Sequence, residues 1–243
     1  FASRGKGKTS ARLMTAHFCR EGLFPKEIGG SGDRVIRVLP VHHTRFEEIL
    51  NVVNHQTTLV DAHVIEILLR AIPAFTDMII KYPDIAERVK EMRILRRLEL
   101  QYFFVAYQTH VPFQELKSAR DLLGREIKTL DNAHGAIGFS LPGNAQQQLG
   151  LTTQEIESHL LAYAHASVID QLGRFAALMA EVGIEAIYVL VDGLDEIPET
   201  ADNFVNAAEL LIPLLANLNL MTNTPHLVFK VFVPAEMEML LLE

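Results

Sequence analysis

Apolar positions change their period several times along this chain, and each change marks an element. Thr9–Glu21 has helical composition and ends at Gly22; a glycine-rich loop, Phe24–Asp33, follows. The run RVIRVLPV, Arg34–Val41, reads as a short strand bounded by Asp33 and His42. From Thr44 to about Leu130 the apolar residues recur at three- and four-residue spacing, the period of a helix. TRFEEILNVV, LVDAHVIEILLRAI, DIAERVKEMRILRRLELQYFFVAY and FQELKSARDLLGREI are the predicted helices. Pro73, Pro83 and Pro112 fall between them, where helices are expected to stop.

Asp131–Gly150 reads as loop. A capping box at Thr152–Glu155 then predicts one long helix to about Glu181, closed by Gly183. EAIYVLV, Glu185–Val191, is an apolar run of the kind found in strands buried on both faces. A further helix is expected over Asp202–Leu218, a second β-rich run over His226–Val233, and a helical tail over Ala235–Glu243. Strands separated by helices predict an α/β fold with a mostly parallel sheet. A parallel crossover needs only about a dozen residues, and the gap from Val41 to Glu185 is many times longer. A large helical insertion, drawn over 44–135, within one domain spanning 1–243 accounts for it.

Bulk properties narrow the function. The chain has 243 residues, 49% hydrophobic and 21% charged, enough for a sizeable core. Its net charge of −8 argues against a general grip on nucleic acid, which needs a basic footprint. A single cysteine, Cys19, cannot form an internal disulfide, which fits a reducing, cytoplasmic setting. The uncharged run Leu210–Phe229 carries Asn217, Asn219, Asn223, Pro213 and Pro225, too polar and broken for a membrane span.

Two motifs carry chemistry. At the amino terminus, Arg4-Gly5-Lys6-Gly7-Lys8-Thr9-Ser10 ends like the phosphate-loop pattern G-x-x-x-x-G-K-[ST], with Ala2 where that pattern has its first glycine. Gly5 and Gly7 free the backbone to curl N–H groups around a phosphate, and the next helix turns its positive end toward the same anion. Lys8 is expected to reach the β- and γ-phosphates of ATP, and the Thr9 hydroxyl to hold Mg²⁺. The second motif, VLVDGLDE, Val189–Glu196, sets a carboxylate at the carboxyl end of an apolar strand, where open α/β sheets bind ligands. Asp192 is expected to share the Mg²⁺, and Asp195 or Glu196 to position the attacking water. The plainer alternatives are a flexible basic tail and an acidic turn that caps the following helix.

Together the two motifs resemble the STAND class of P-loop NTPases, the NACHT-like and related bacterial ATPases, whose Walker B strand ends as Asp192-Gly193-Leu194-Asp195-Glu196 does. The resemblance implies a P-loop NTPase-type three-layer sandwich, the insertion lying between the second strand and the Walker B strand. It implies an additional strand between the Walker A and Walker B strands, for which His226–Val233 is the candidate. Only Phe1 and Ala2 are left for the first strand, which is therefore expected to be largely missing. It also implies a slow ATPase switch, closed with ADP, that oligomerises or engages a partner protein with ATP. The segment FKVFVP offers no counterpart to the sensor arginine of that class. An AAA+-like motor acting on DNA or protein and a non-hydrolysing scaffold are the competing functions.

Other residues stay open. Lys230, inside an apolar strand, is either a phosphate sensor or a lysine reaching to solvent from a sheet edge. Arg88, Lys90, Arg93, Arg96 and Arg97, interleaved with Glu87, Glu91 and Glu99, read as a salt-bridged helix face, with a partner surface as the alternative. His42 and His43 follow the predicted strand Arg34–Val41 at the ligand-binding edge of the sheet and are candidates for contact with nucleotide or a partner. Their spacing with His55 and His63 matches no compact metal pattern.

Overall fold

A computed structural model describes residues 7–22, 36–53, 57–108, 166–201 and 203–242, with 155, 158 and 162 as isolated positions. The predicted loop 131–150, the helix FQELKSARDLLGREI, Pro112, Arg4, Gly5 and Lys6 lie outside the described residues. Contacts divide the chain into two compact units, Phe1–Ala71 with Ile184–Glu243, and Ile72–Gly183 inserted between them. The inserted unit thus begins and ends later than the 44–135 drawn from the sequence.

The first unit is α/β. Helix α1 (Lys8–Glu21) starts at Gly7 and stops at Gly22, both left-handed, with φ 84° and 65°. Strand β1 (Val38–His43) begins and ends later than the predicted strand. Helix α2 (Phe46–Val52) and the first part of helix α3 (Leu59–Lys81) follow. Strand β2 (Ala186–Val191), helices α7 (Phe204–Leu215) and α8 (Leu218–Asn223), strand β3 (Leu227–Val231) and helix α9 (Glu238–Leu242) complete the unit. Three strands form a parallel sheet in the order β1-β2-β3, with His43 opposite Val191 and Val191 opposite Val231. β2 is the middle strand, which is why its sequence is almost wholly apolar: Ile187, Val189, Leu190 and Val191 are buried. Its carboxyl end therefore opens between the ends of two neighbours, and Asp192 follows directly.

The inserted unit is helical where described: the rest of α3, α4 (Pro83–Glu91), α5 (Ile94–Gln108) and α6 (Val168–Glu181). Aromatic rings make its core. Phe103 meets Phe175 edge-on at 5.5 Å and stacks on Tyr107, while Phe75 tilts against Phe104. The buried Tyr107 hydroxyl donates to Gln171 Oε1 at 2.6 Å, and Gln171 Nε2 donates to the Ala166 carbonyl, so neither buried polar group is orphaned.

Four helix limits differ from the sequence reading. Pro73 does not end a helix; it lies inside α3. Pro73 is exposed, and buried Ile72, Phe75, Met78 and Ile79 hold the helix together around it. The stretch from Asp84 to Tyr107 is two helices, because Met92 leaves the helical region with ψ 148°. The basic residues Arg88 to Arg97 therefore do not share one helix face. Among them Lys90 pairs with Glu87, and Arg96 pairs with Glu99 and Glu181. The helix expected from Thr152 to Glu181 is interrupted at Ala166–Ser167, where the Ser167 hydroxyl accepts from the Asp170 N–H and caps a new start. The helix expected over Asp202–Leu218 ends at Leu215, and Asn217 caps α8. Pro83, by contrast, opens α4 as predicted.

Gly183 joins α6 to the next segment with φ +85°, and a Cβ there would collide with the Arg88 guanidinium. Gly183→Ala is expected to lower stability by about 1–2 kcal/mol in urea unfolding, most of it from the left-handed backbone. Adding Arg88→Ala should recover only the steric part.

Candidate functional site at the carboxyl end of the sheet

The site is built by two segments far apart in sequence. One is the inward stripe of α1. Lys8, Arg12, Ala16 and Cys19 recur at helical spacing on one face; Ala16 and Cys19 are buried, and α1 packs against β1. Apolar packing of the later residues therefore turns the two cations near the start of the helix toward the sheet. The other segment is the loop after β2. Asp192 is 2% exposed, and its backbone N–H donates to the His43 carbonyl at 3.3 Å. Gly193 takes φ +84°, which lets the chain turn sharply at the strand end. Leu194 and Ile197 are buried, and the Thr200 hydroxyl donates to the Leu194 and Ile197 carbonyls. Such anchoring holds Asp195 at 8% exposure while Glu196 stays exposed.

The two segments meet through two ion pairs. Lys8 Nζ lies 2.8 Å from Asp195 Oδ2, with the side chains 10% and 8% exposed. Arg12 Nε lies 2.9 Å from Asp192 Oδ2. Arg12 Nη1 also donates to His42 Nδ1 at 2.6 Å. His42 must then be neutral, its proton on Nε2; burial and the nearby Arg12 and Arg20 charges push its pKa down to about 4. A buried carboxylate without a cation costs several kcal/mol, so each aspartate needs its partner in place.

Three motif residues lie outside these two ion pairs. Thr9 is exposed and shares no hydrogen bond with Asp192, whose carboxylate is taken by Arg12. Ser10 is likewise exposed. Glu196, grouped with Asp195 in the sequence, turns outward and has no ion-pair partner among the described residues. The cap on the following helix is Asn203, whose side chain accepts from Val205 and Asn206, so Asp192 and Asp195 are not there as helix caps. Lys230 is exposed on β3, 5.2 Å from the centre of the Tyr188 ring. Cys19 is a buried thiol whose pKa burial raises to about 11, which keeps it unreactive.

Arg12 is the residue that motif reading missed. No phosphate-loop pattern includes it, yet its position was signalled: it lies one turn beyond Lys8 and one turn before an alanine of the buried stripe. His43 was singled out, but its surroundings were not legible. His63 Nε2 donates to the Leu210 carbonyl at 2.8 Å, leaving its Nδ1 to accept from His43 Nε2 at 2.8 Å. His43 Nδ1 is then a lone pair with no partner among the described residues. Both rings are fully buried, which drives His63 down to about 4 and His43 well below the ordinary range.

Among the described residues no group of three or more His, Cys, Asp or Glu side chains gathers as a metal cage. No described helix is long and apolar enough to cross a membrane. No protein-family model, curated protein or solved structure matches this chain.

The histidine pair gives folding a pH dependence of definite sign. A folded-state pKa depressed below the unfolded value near 6.5 contributes stability that is complete above about pH 6.5 and lost as the pH falls toward 4. His63 alone should account for about 3 kcal/mol of that loss. Urea midpoints measured between pH 7.5 and 4.5 should fall steeply, and the slope should be shallower in His63→Gln.

Proposed function

We propose that this chain binds ATP with Mg²⁺ at the carboxyl end of the sheet and hydrolyses it slowly, as the regulatory ATPase domain of a STAND-type switch. The observation that carries this reading is the 2.8 Å pair between Lys8 and Asp195, two residues 187 positions apart. It joins the glycine-lysine turn and the acidic loop, which no shared local structure requires to meet. β3 lies beside β2, as the three-layer P-loop arrangement would have it.

The residues fit a triphosphate and a divalent ion by charge. Lys8 and the first N–H groups of α1, opened by the left-handed Gly7, form a cationic end for phosphate oxygens. Gly5, Lys6, Arg4 and Ser10 belong to the same turn in sequence. Asp192, buried and already matched with a cation, would hold Mg²⁺ together with the Thr9 hydroxyl and retained waters. Bound there, the ion would neutralise charge on the β- and γ-phosphate oxygens. Of the two remaining carboxylates, Asp195 is engaged with Lys8 and keeps that ammonium oriented. Glu196, exposed and unpaired among the described residues, is the one free to accept a hydrogen bond from an attacking water. Nothing covalent is required of the protein; catalysis rests on position and charge. The ATP-bound form would associate with itself or with a partner protein, and a cytoplasmic location suits that chemistry.

Titration calorimetry with Mg-ATP tests the reading. Binding is expected in the parent chain and should weaken about 10- to 100-fold in Lys8→Ala, where a charge-assisted hydrogen bond to phosphate is lost. Glu196→Gln should bind ATP with near-parental affinity and lose most turnover. Absence of heat with the parent chain, or parental hydrolysis by both variants, would overturn the proposal.

A further inference from the structure

We infer that Arg12 is an internal counter-ion that occupies the Asp192 carboxylate and keeps free divalent cations from it. The inference rests on the nucleotide reading above and adds to it a residue that regulates metal entry. Its basis is the site as built. Asp192 is 2% exposed and its carboxylate is held at 2.9 Å by Arg12 Nε. The guanidinium is fixed from its other side by His42 Nδ1 at 2.6 Å, so it does not lie there by chance of rotamer. A planar, permanently charged donor held at two points is the stronger competitor for a carboxylate.

A divalent cation arriving alone must break that pair and leave a guanidinium, 14% exposed, without an anion. Arriving with a triphosphate, the same cation brings the replacement partner with it. Arg12 lies one helical turn beyond Lys8 on the same face, so a released guanidinium remains beside the phosphate end of α1. Metal and nucleotide then favour one another, a coupling between ligands made by one side chain. Free Mg²⁺ is kept out without the need for a poor site.

Binding of Mn²⁺ alone, followed by electron paramagnetic resonance of the free ion in nucleotide-free protein, tests this without reference to turnover. Arg12→Gln should bind Mn²⁺ at least about tenfold more tightly than the parent chain. Its melting temperature should rise with added Mg²⁺ while the parent's stays constant. Asp192→Asn placed on top of Arg12→Gln should abolish both effects. Should Arg12→Gln not fold, Arg12→Lys supplies the test: it keeps the charge but holds Asp192 at one point, and its Mn²⁺ affinity should lie above the parent's. Equal Mn²⁺ affinity in the parent and the folded variants overturns the inference, and if all of them still bind Mg-ATP, the nucleotide reading survives it. If none binds Mn²⁺ or Mg-ATP, both readings fall together.

Discussion

Two aspartates sit almost out of water at the end of the middle strand, and each is met there by a cation from α1. β2 is flanked on both sides, and Asp192 and Asp195 follow its carboxyl end in a turn anchored by buried Leu194 and Ile197. Water cannot serve them fully there. The cations that do are brought by α1, and they can be brought only because Ala16 and Cys19 fix which face of that helix is turned inward. Helix packing, turn geometry and ion pairing are thus one arrangement. A change in any of them exposes a buried charge to the cost of standing alone.

Behind this charged edge lies a layer that stays neutral. His43 pairs with His63, and His63 with the Leu210 carbonyl, linking β1, α3 and α7 through hydrogen bonds whose direction is fixed by one proton on each ring. A positive charge added there would be buried, which is why both rings stay neutral. His42, one residue earlier, faces the other way and accepts from Arg12. Adjacent histidines on one strand therefore serve two different environments, because side chains alternate across a sheet. One belongs to the core and the other to the site.

The inserted unit is held by other means. Its aromatic residues interlock, its described buried tyrosine–glutamine pair is satisfied, and the exposed Lys90–Glu87 pair contributes little, whereas Arg96 matches the buried carboxylate of Glu99. Its helices break at Met92 and at Ser167 and continue through Pro73. At Ser167 a local cap sets the limit, whereas at Pro73 the burial of Ile72, Phe75, Met78 and Ile79 outweighs the loss of one helix hydrogen bond.

The apolar run Glu185–Val191 was sufficient by itself to mark a buried parallel strand, and the glycines at 7, 22 and 193 to mark where the chain must turn, because those signals come from backbone sterics and from burial on both faces. The motif residues Lys8, Asp192 and Asp195 were legible for the same reason: few residue types can serve at a turn or a strand end of this kind. Arg12 was not, since its importance depends on facing Asp192 across 180 positions. Nor were the exposure of Thr9 and Glu196 or the neutral histidine pair, which follow from how one element rests on another. Sequence fixes which residues can form strands, turns and charges. Only the folded chain decides which charges meet, because that is set by the faces that hydrophobic burial turns inward.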